Sequence, residues 1–228
     1  VTETFFVGID GPAGSGKSSV SKQAARRLGF GYLDTGAVYR ALAWHVLHRG
    51  DTTDDPAAVE AGFDTFEPQI GLDPDARTVR VGGEDVTDAI RTPETTAAVA
   101  GVARTLPVRE RINALFRRIV AEAPQPGVIV EGRDITTVVA PDAPVRILLT
   151  AHPDVRAARR SAEMGADDIA KVAEAMRRRD ASDSTVVDFL NAAEGVTAID
   201  TTHLDFDQSV DAVLAAIGER REGGLDGR

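Results

Sequence analysis

The stretch FFVGIDGPAGSGKSSV, residues 5–20, changes character twice within a short span. Phe5, Phe6, Val7 and Ile9 form an apolar run that stops at Asp10 and Gly11, the pattern of a buried parallel strand. From Ser18 onward the apolar spacing becomes helical, with Val20, Ala24 and Leu28 on one face and Gly29 as the stop. Between the two, Gly11-Pro12-Ala13-Gly14-Ser15-Gly16-Lys17-Ser18 satisfies G-x-x-x-x-G-K-[ST] at every position. A glycine-rich turn in that setting brings backbone N–H groups onto phosphate oxygens, and the helix N-terminus adds favourable partial charge. Lys17 is then placed to reach the β- and γ-phosphates of a nucleotide, and Ser18 to hold Mg2+ on it.

Outward from this loop the chain keeps alternating. A short strand at Gly31 to Leu33 leads through a loop, Asp34-Thr35-Gly36, into a helix striped by Val38, Leu42 and Val46. Val128 to Val130, Val145 to Leu149 and Val196 to Ile199 read as further strands, and helices are expected at about 94–122, interrupted by Pro107, and at 153–163, 167–179 and 207–220. This β-α alternation predicts an α/β, three-layer fold with a central parallel sheet and helices on both faces. Residues 51–62 read as an acidic linker, and Ile70, Leu72, Val79 and Val81 as a hairpin about Asp73-Pro74-Asp75.

The 228 residues, 43% hydrophobic, suit one α/β domain with an inserted subdomain. A net charge of -10 argues against a nucleic-acid partner, which needs Lys and Arg to replace counterions. The absence of cysteine excludes disulfides and thiolate metal sites. With no long apolar run and no basic leader, no membrane partner is expected and a cytoplasmic location is.

Arginines carry the signal for a second ligand. Arg40 follows one strand end, Arg133 sits in Glu131-Gly132-Arg133-Asp134 after another, and Arg109 opens a helix behind Pro107. Strand carboxyl ends are where open α/β sheets put ligands. Asp134 either pairs with a neighbouring cation or accepts a hydrogen bond from the exocyclic amine of a base. Arg156, Arg159, Arg160, Arg177, Arg178 and Arg179 decorate two late helices, read either as a solvated face or as a lid that closes over a transferring phosphoryl group.

With LDTGAVYR at 33–40, IRT at 90–92, VRE at 108–110, EGRDITTVVAPDAPV at 131–145 and RRRDASDST at 177–185 in order behind the loop, the sequence resembles the bacterial cytidylate kinases over nearly its whole length. That resemblance implies a P-loop kinase core (about 1–35, 105–150 and 190–220), an inserted NMP-binding subdomain (about 36–104), a helical lid (about 153–189) and a disordered tail at 222–228. It implies Mg2+-dependent transfer of the ATP γ-phosphoryl group to CMP or dCMP by a monomer. ATP falls to residues 11–19, Ser19 included, with Ser18 on the metal. Thr35, Arg109 and Asp134 are expected on the cytosine, Arg40 and Arg133 on the acceptor phosphate, and Arg179 with Asp183 on the ribose or phosphate side. Lys17, Arg156, Arg160 and Arg179 are the expected catalytic cations. Adenine is expected near Asp200-Thr201-Thr202.

Four positions depart from the family pattern: Ala100 for a ribose-contacting Ser, Phe116 for Gln, Thr136 for the Gly of GRDIGT, and Val186 for the Arg of DSTR. A degenerate nucleotide-binding regulator and a P-loop kinase for another acceptor, such as shikimate, gluconate or AMP, are the alternative readings. A GTPase is disfavoured by the lack of an N-K-x-D segment.

Overall fold

The computed structural model describes residues 4–165, 168–184 and 189–223. In chain order the elements are β1 Phe5–Asp10, α1 Lys17–Leu28, β2 Gly31–Asp34, α2 Thr35–His48, α3 Pro56–Asp64, β3 Pro68–Ile70, β4 Val79–Val81, β5 Glu84–Asp85, α4 Pro93–Arg104, α5 Leu106–Ala121, β6 Gly127–Gly132, β7 Val145–Thr150, α6 Pro153–Met164, α7 Ile169–Ser184, β8 Thr197–Asp200 and α8 Phe206–Gly223. A 3-10 turn at Ala89–Arg91 precedes α4, and a π-helical turn at Ile135–Val139 follows β6. The chain divides into two units, one of Val1–Tyr32 with Pro124–Arg228, the other of Leu33–Ala123.

The first unit is built on a five-stranded sheet of order β2-β6-β1-β7-β8. β1 is central and runs parallel to β6 and β7, and β7 runs parallel to β8. Being paired on both edges, β1 can be apolar throughout, and Val7 and Ile9 are fully buried. They join Ile129, Ile147 and Leu149 of the neighbouring strands under Val20 and Ala24 of α1 and Val210, Val213 and Ile217 of α8. Each such side chain removed from water contributes roughly 1.5–3 kcal/mol before conformational entropy is charged. On the other face of β1, Gly8 leaves room for Ile135 at the head of the π-helical turn.

Register fixes what meets at the carboxyl edge. Asp10 lies beside Gly132 and Leu148, and Thr150 beside Asp200. Four consecutive strand ends therefore release their loops at one level, where this class of sheet binds ligands.

The second unit is mainly helical, with a small antiparallel sheet of order β3-β4-β5. Its details correct four expectations. Thr35 and Gly36 are helical and not a loop, because Asp34 both ends β2 and caps α2, accepting the Ala37 N–H at 3.0 Å. The acidic stretch at 51–62 holds α3, started by Asp55, which accepts the Ala57 N–H at 3.0 Å, and by Pro56 at the first turn. Val59 anchors that helix in the core. Leu72 lies beyond the end of β3, and β5 adds a third strand to the expected hairpin. The interruption expected at Pro107 in the helical stretch of about 94–122 falls instead at Thr105, between α4 and α5, and Pro107 lies in the first turn of α5. The expected NMP-binding insertion of about 36–104 falls within this unit, which carries α5 as well. At the far end of the chain α8 continues to Gly223, through the first residues of the expected tail, while 224–228 lie outside the described residues.

Candidate active site

The loop of residues 11–18 leaves β1 and enters α1 through Gly16, the residue before the first helical turn. Two of its glycines are dictated by space as well as by torsion. Gly11 has φ 153, and a Cβ there would stand 2.1 Å from the Leu149 carbonyl oxygen. Gly14 has φ 72, and its Cβ would meet the Arg156 carbonyl oxygen and Met176 Cε, each at 2.7 Å. No acidic residue sits in the first turn of α1 and no side chain caps it, so its N–H groups are left to face an anion. Lys17 Nζ lies back over the loop and donates to the Pro12 carbonyl at 3.3 Å.

Ser18 donates its hydroxyl to Glu131 Oε1 at 2.7 Å. Glu131 is 7% exposed near the end of β6, the strand next to β1, so a serine hydroxyl and a carboxylate meet directly below the loop. Both are hard oxygen donors. Mg2+ commonly takes one or two protein oxygens and completes its octahedron with water and phosphate oxygens, which this pair fits. Among the described residues no group of three or more His, Cys, Asp or Glu forms a metal cluster.

Asp10, 2% exposed, ties the neighbouring loop to β1. Oδ1 accepts the Ile135 N–H at 3.0 Å, and Oδ2 accepts the Thr136 N–H at 2.8 Å and the Thr136 hydroxyl at 2.7 Å. Burial pushes the Asp10 carboxyl above its usual range, against the opposing pull of these hydrogen bonds. The departure from the family at 136 thus has a local use, since a glycine there could not supply the hydroxyl. Arg133, in the same loop, donates to the Gly11 carbonyl and rests on the Phe189 ring, 4.7 Å from its centroid. Asp134 is buried beside it.

From the other side α6 and α7 bear on the loop. Ala157, Val172 and Met176 form an apolar cluster against Ala13. Arg156 donates to the Ala13 carbonyl at 2.8 Å and to Asp180 Oδ2 at 2.7 Å. Arg159 donates to the Thr201 hydroxyl and carbonyl at 2.9 and 2.8 Å and to the Leu204 carbonyl at 3.1 Å. It lines a cavity of about 340 Å³ together with Gly16, Ser19, Val20, Leu204 and Phe206. Arg160, the next residue, turns outward to a half-exposed pair with Glu163 at 3.1 Å, and Arg177 and Arg178 pair with Glu174 at 2.7 and 3.6 Å. Arg179 and Asp183 fall within α7, but their side chains, like the whole of Val186, lie outside the described residues.

In the second unit Thr35 is buried at the start of α2, and Arg40 pairs with Asp34 Oδ2 at 3.0 Å. Arg109 donates to the Ala103 carbonyl at 3.5 Å. Arg91, which the sequence singled out only within IRT, donates to the Thr87 carbonyl; burial and then the neighbouring charges of Arg40 and Arg77 draw its guanidinium below the usual arginine range. Phe116 is core, 6.2 Å from the Tyr39 ring, and Ala100 is exposed on α4. Sequence reasoning named the loop, Arg133 and, among six arginines of the late helices, Arg159, and gave no role to Asp10, Glu131 or Asp180. At the expected adenine position Thr201 is fully buried and its hydroxyl donates to the Thr150 carbonyl at 3.0 Å, and the cavity is lined a few residues further on by Leu204, Asp205 and Phe206.

A glycine-rich phosphate cradle between a central parallel strand and a helix, with a serine–carboxylate pair beneath it and arginines above it, defines a P-loop kinase. A structure titled as an uncharacterized protein from Eubacterium ventriosum has the same fold, at a TM-score of 0.54 and 13% identity, covering 94% of this chain and 99% of that one. The sequence profile of the family described as Cytidylate kinase matches residues 7–219. A cytidylate kinase of Cutibacterium acnes is 47% identical over 215 residues, covering 93% of this chain and 96% of the relative. One of Streptomyces coelicolor is 46% identical over 219 residues, covering 96% and 94%. The chain belongs to the cytidylate kinase family.

Proposed function

We propose that this protein transfers the γ-phosphoryl group of ATP to CMP or dCMP, giving CDP or dCDP, with Mg2+ bound alongside the nucleotide. The observation that carries this reading is the junction of Gly11 with Arg133, held by adjacent strand ends and by the Asp10 hydrogen bonds. It sets a phosphate cradle beside a guanidinium suited to a second phosphate. Family membership supplies the identity of the acceptor.

In this reading the amides of residues 16–18, at the start of α1, and the Lys17 ammonium take the triphosphate. Ser18 and Glu131 hold the metal, which when bound neutralises charge on the phosphate oxygens. Arg159 and Phe206 border the adenine cavity. Thr35, Arg109 and Asp134 are assigned to cytosine, Arg40 and Arg133 to the acceptor phosphate, and Arg179 with Asp183 to the ribose or phosphate side. The acceptor oxygen is already an anion at neutral pH, so no general base is required. Catalysis is positioning plus charge stabilisation, with Lys17 and Arg156 in place before the reaction. The helices α6 and α7 exclude water, the competing acceptor.

A coupled assay of ADP release across CMP, dCMP, UMP, AMP and GMP tests the proposal. Turnover is expected to be highest with CMP or dCMP. Faster turnover with AMP or GMP would point to another acceptor class, and no turnover with any of them to a nucleotide-binding regulator. A second expectation concerns the donor side. Arg159→Ala should raise KM for ATP by about tenfold while leaving KM for CMP within about twofold, since it removes cavity wall and three hydrogen bonds, two of them to backbone carbonyls. Equal changes in both constants would place Arg159 outside the ATP site.

A further inference from the structure

Asp180 is an acid in an apolar row. Val172, Met176 and Asp180 follow one another at four-residue spacing along α7, and the first two pack on Ala157 and Ala13. Asp180 shares that face, is 7% exposed, and has partners that are all distant in sequence. The Ala13 N–H donates to Oδ1 at 3.2 Å, Arg156 Nη1 donates to Oδ2 at 2.7 Å, and Arg133 Nη2 stands 3.9 Å from Oδ1. Arg156, 8% exposed, closes the ring by donating to the Ala13 carbonyl at 2.8 Å. Both backbone polar groups of Ala13 are thus held, one by the acid and one by the arginine that the acid orients.

The three partners share one property: each is a group that can bind phosphate. Ala13 belongs to the phosphate-binding loop, Arg156 to the helices above it and Arg133 to the acceptor-side loop. Two guanidiniums this close need an anion between them, and a buried guanidinium needs one most. Asp180 supplies that charge from the protein itself. Arginines held in this way need no reorganisation when a phosphoryl group arrives, which is the condition under which fixed charges contribute most to catalysis.

We infer that Asp180 is a positioning residue for phosphoryl transfer, fixing Arg156 and the tip of the loop at Ala13 and steadying Arg133. The inference rests on the kinase reading above and adds to it a residue that acts through others. It does not touch the reacting atoms.

The test is steady-state kinetics on the wild type, Asp180→Asn, Asp180→Glu, Arg156→Ala and the double variant Asp180→Asn/Arg156→Ala, with thermal melting to confirm folding. Asp180→Asn is expected to lower kcat by about tenfold to a hundredfold, with KM for ATP and CMP within about threefold. Asp180→Glu, which keeps the charge, should recover part of that loss. The double variant should lose less than the product of the two single losses, because Arg156, one of the groups that the acid orients, is already gone. Unchanged kcat in Asp180→Asn, or effects of the two substitutions that multiply, would overturn the inference. If Asp180→Asn does not fold, Asp180→Ser carries the same comparison: wild-type kcat refutes the inference, and a deficit partly masked by Arg156→Ala supports it. A wild type inert toward every acceptor defeats the kinase reading and this inference together. An active wild type beside an equally active Asp180→Asn defeats the inference alone.

Discussion

Lys17→Met is expected to lower kcat by about a thousandfold or more while the protein folds and melts much as the wild type does. The ammonium donates only to the Pro12 carbonyl at 3.3 Å among the contacts described for Nζ, and it is partly exposed. Methionine matches the length of the lysine stem and is tolerated at such a position. What is lost is the one cation of the loop, which the proposed mechanism sets against the triphosphate, where charge grows during transfer. A coupled ADP assay together with circular dichroism separates the two effects. Wild-type kcat in a folded Lys17→Met protein would refute the assignment of the loop. Loss of both activity and fold would show instead that Lys17 is structural.

The second large effect is on the fold. Gly11→Ala should destabilise the protein by about 3 kcal/mol or more. The new Cβ would overlap the Leu149 carbonyl oxygen at 2.1 Å, and that oxygen belongs to β7, which is paired on both sides and cannot move away cheaply. The φ of 153 adds backbone strain for any residue with a Cβ. Chemical denaturation checks the value. A loss below about 1 kcal/mol would mean that the loop relaxes away from β7, in which case ATP binding should weaken instead.

Much of the architecture was legible because the cues are local. An apolar run ended by glycine or aspartate, followed by a 3.6-residue stripe, marks a strand and its helix, and this pattern located β1, α1, β6 and β7. The helix α3 escaped because Pro56–Asp64 is short and lacks a continuous stripe; only the Asp55-Pro56 start signal marks it. In the site, the loop glycines and Lys17 could be read because their spacing is rigid. The acids could not. Asp10, Glu131 and Asp180 are 3 of the 36 acidic residues in the chain, and what distinguishes them is burial among partners far away in sequence. Glu131 did carry a cue, since it follows directly on Val128 to Val130. Arg159 and Arg160 show the limit from composition: adjacent residues on a helix point about 100° apart. Arg159 shares a face with half-buried Val155 and buried Arg156, four and three residues before it, and reaches Thr201 and Leu204, whereas Arg160 turns to Glu163.

The bonds from Ile135 and Thr136 to Asp10 bear on how the molecule opens. Those two amides are covered by a carboxylate at the end of the central strand, so their protons can exchange with solvent only when that strand end itself comes apart. They should exchange as slowly as the amides of β1 and β6, and much more slowly than those of the exposed Asp73–Asp75 turn. A fluctuation that dissolves this part of the site has to break the Asp10 bonds as well. Denaturant too dilute to unfold the first unit should accordingly leave its phosphate-handling loops intact.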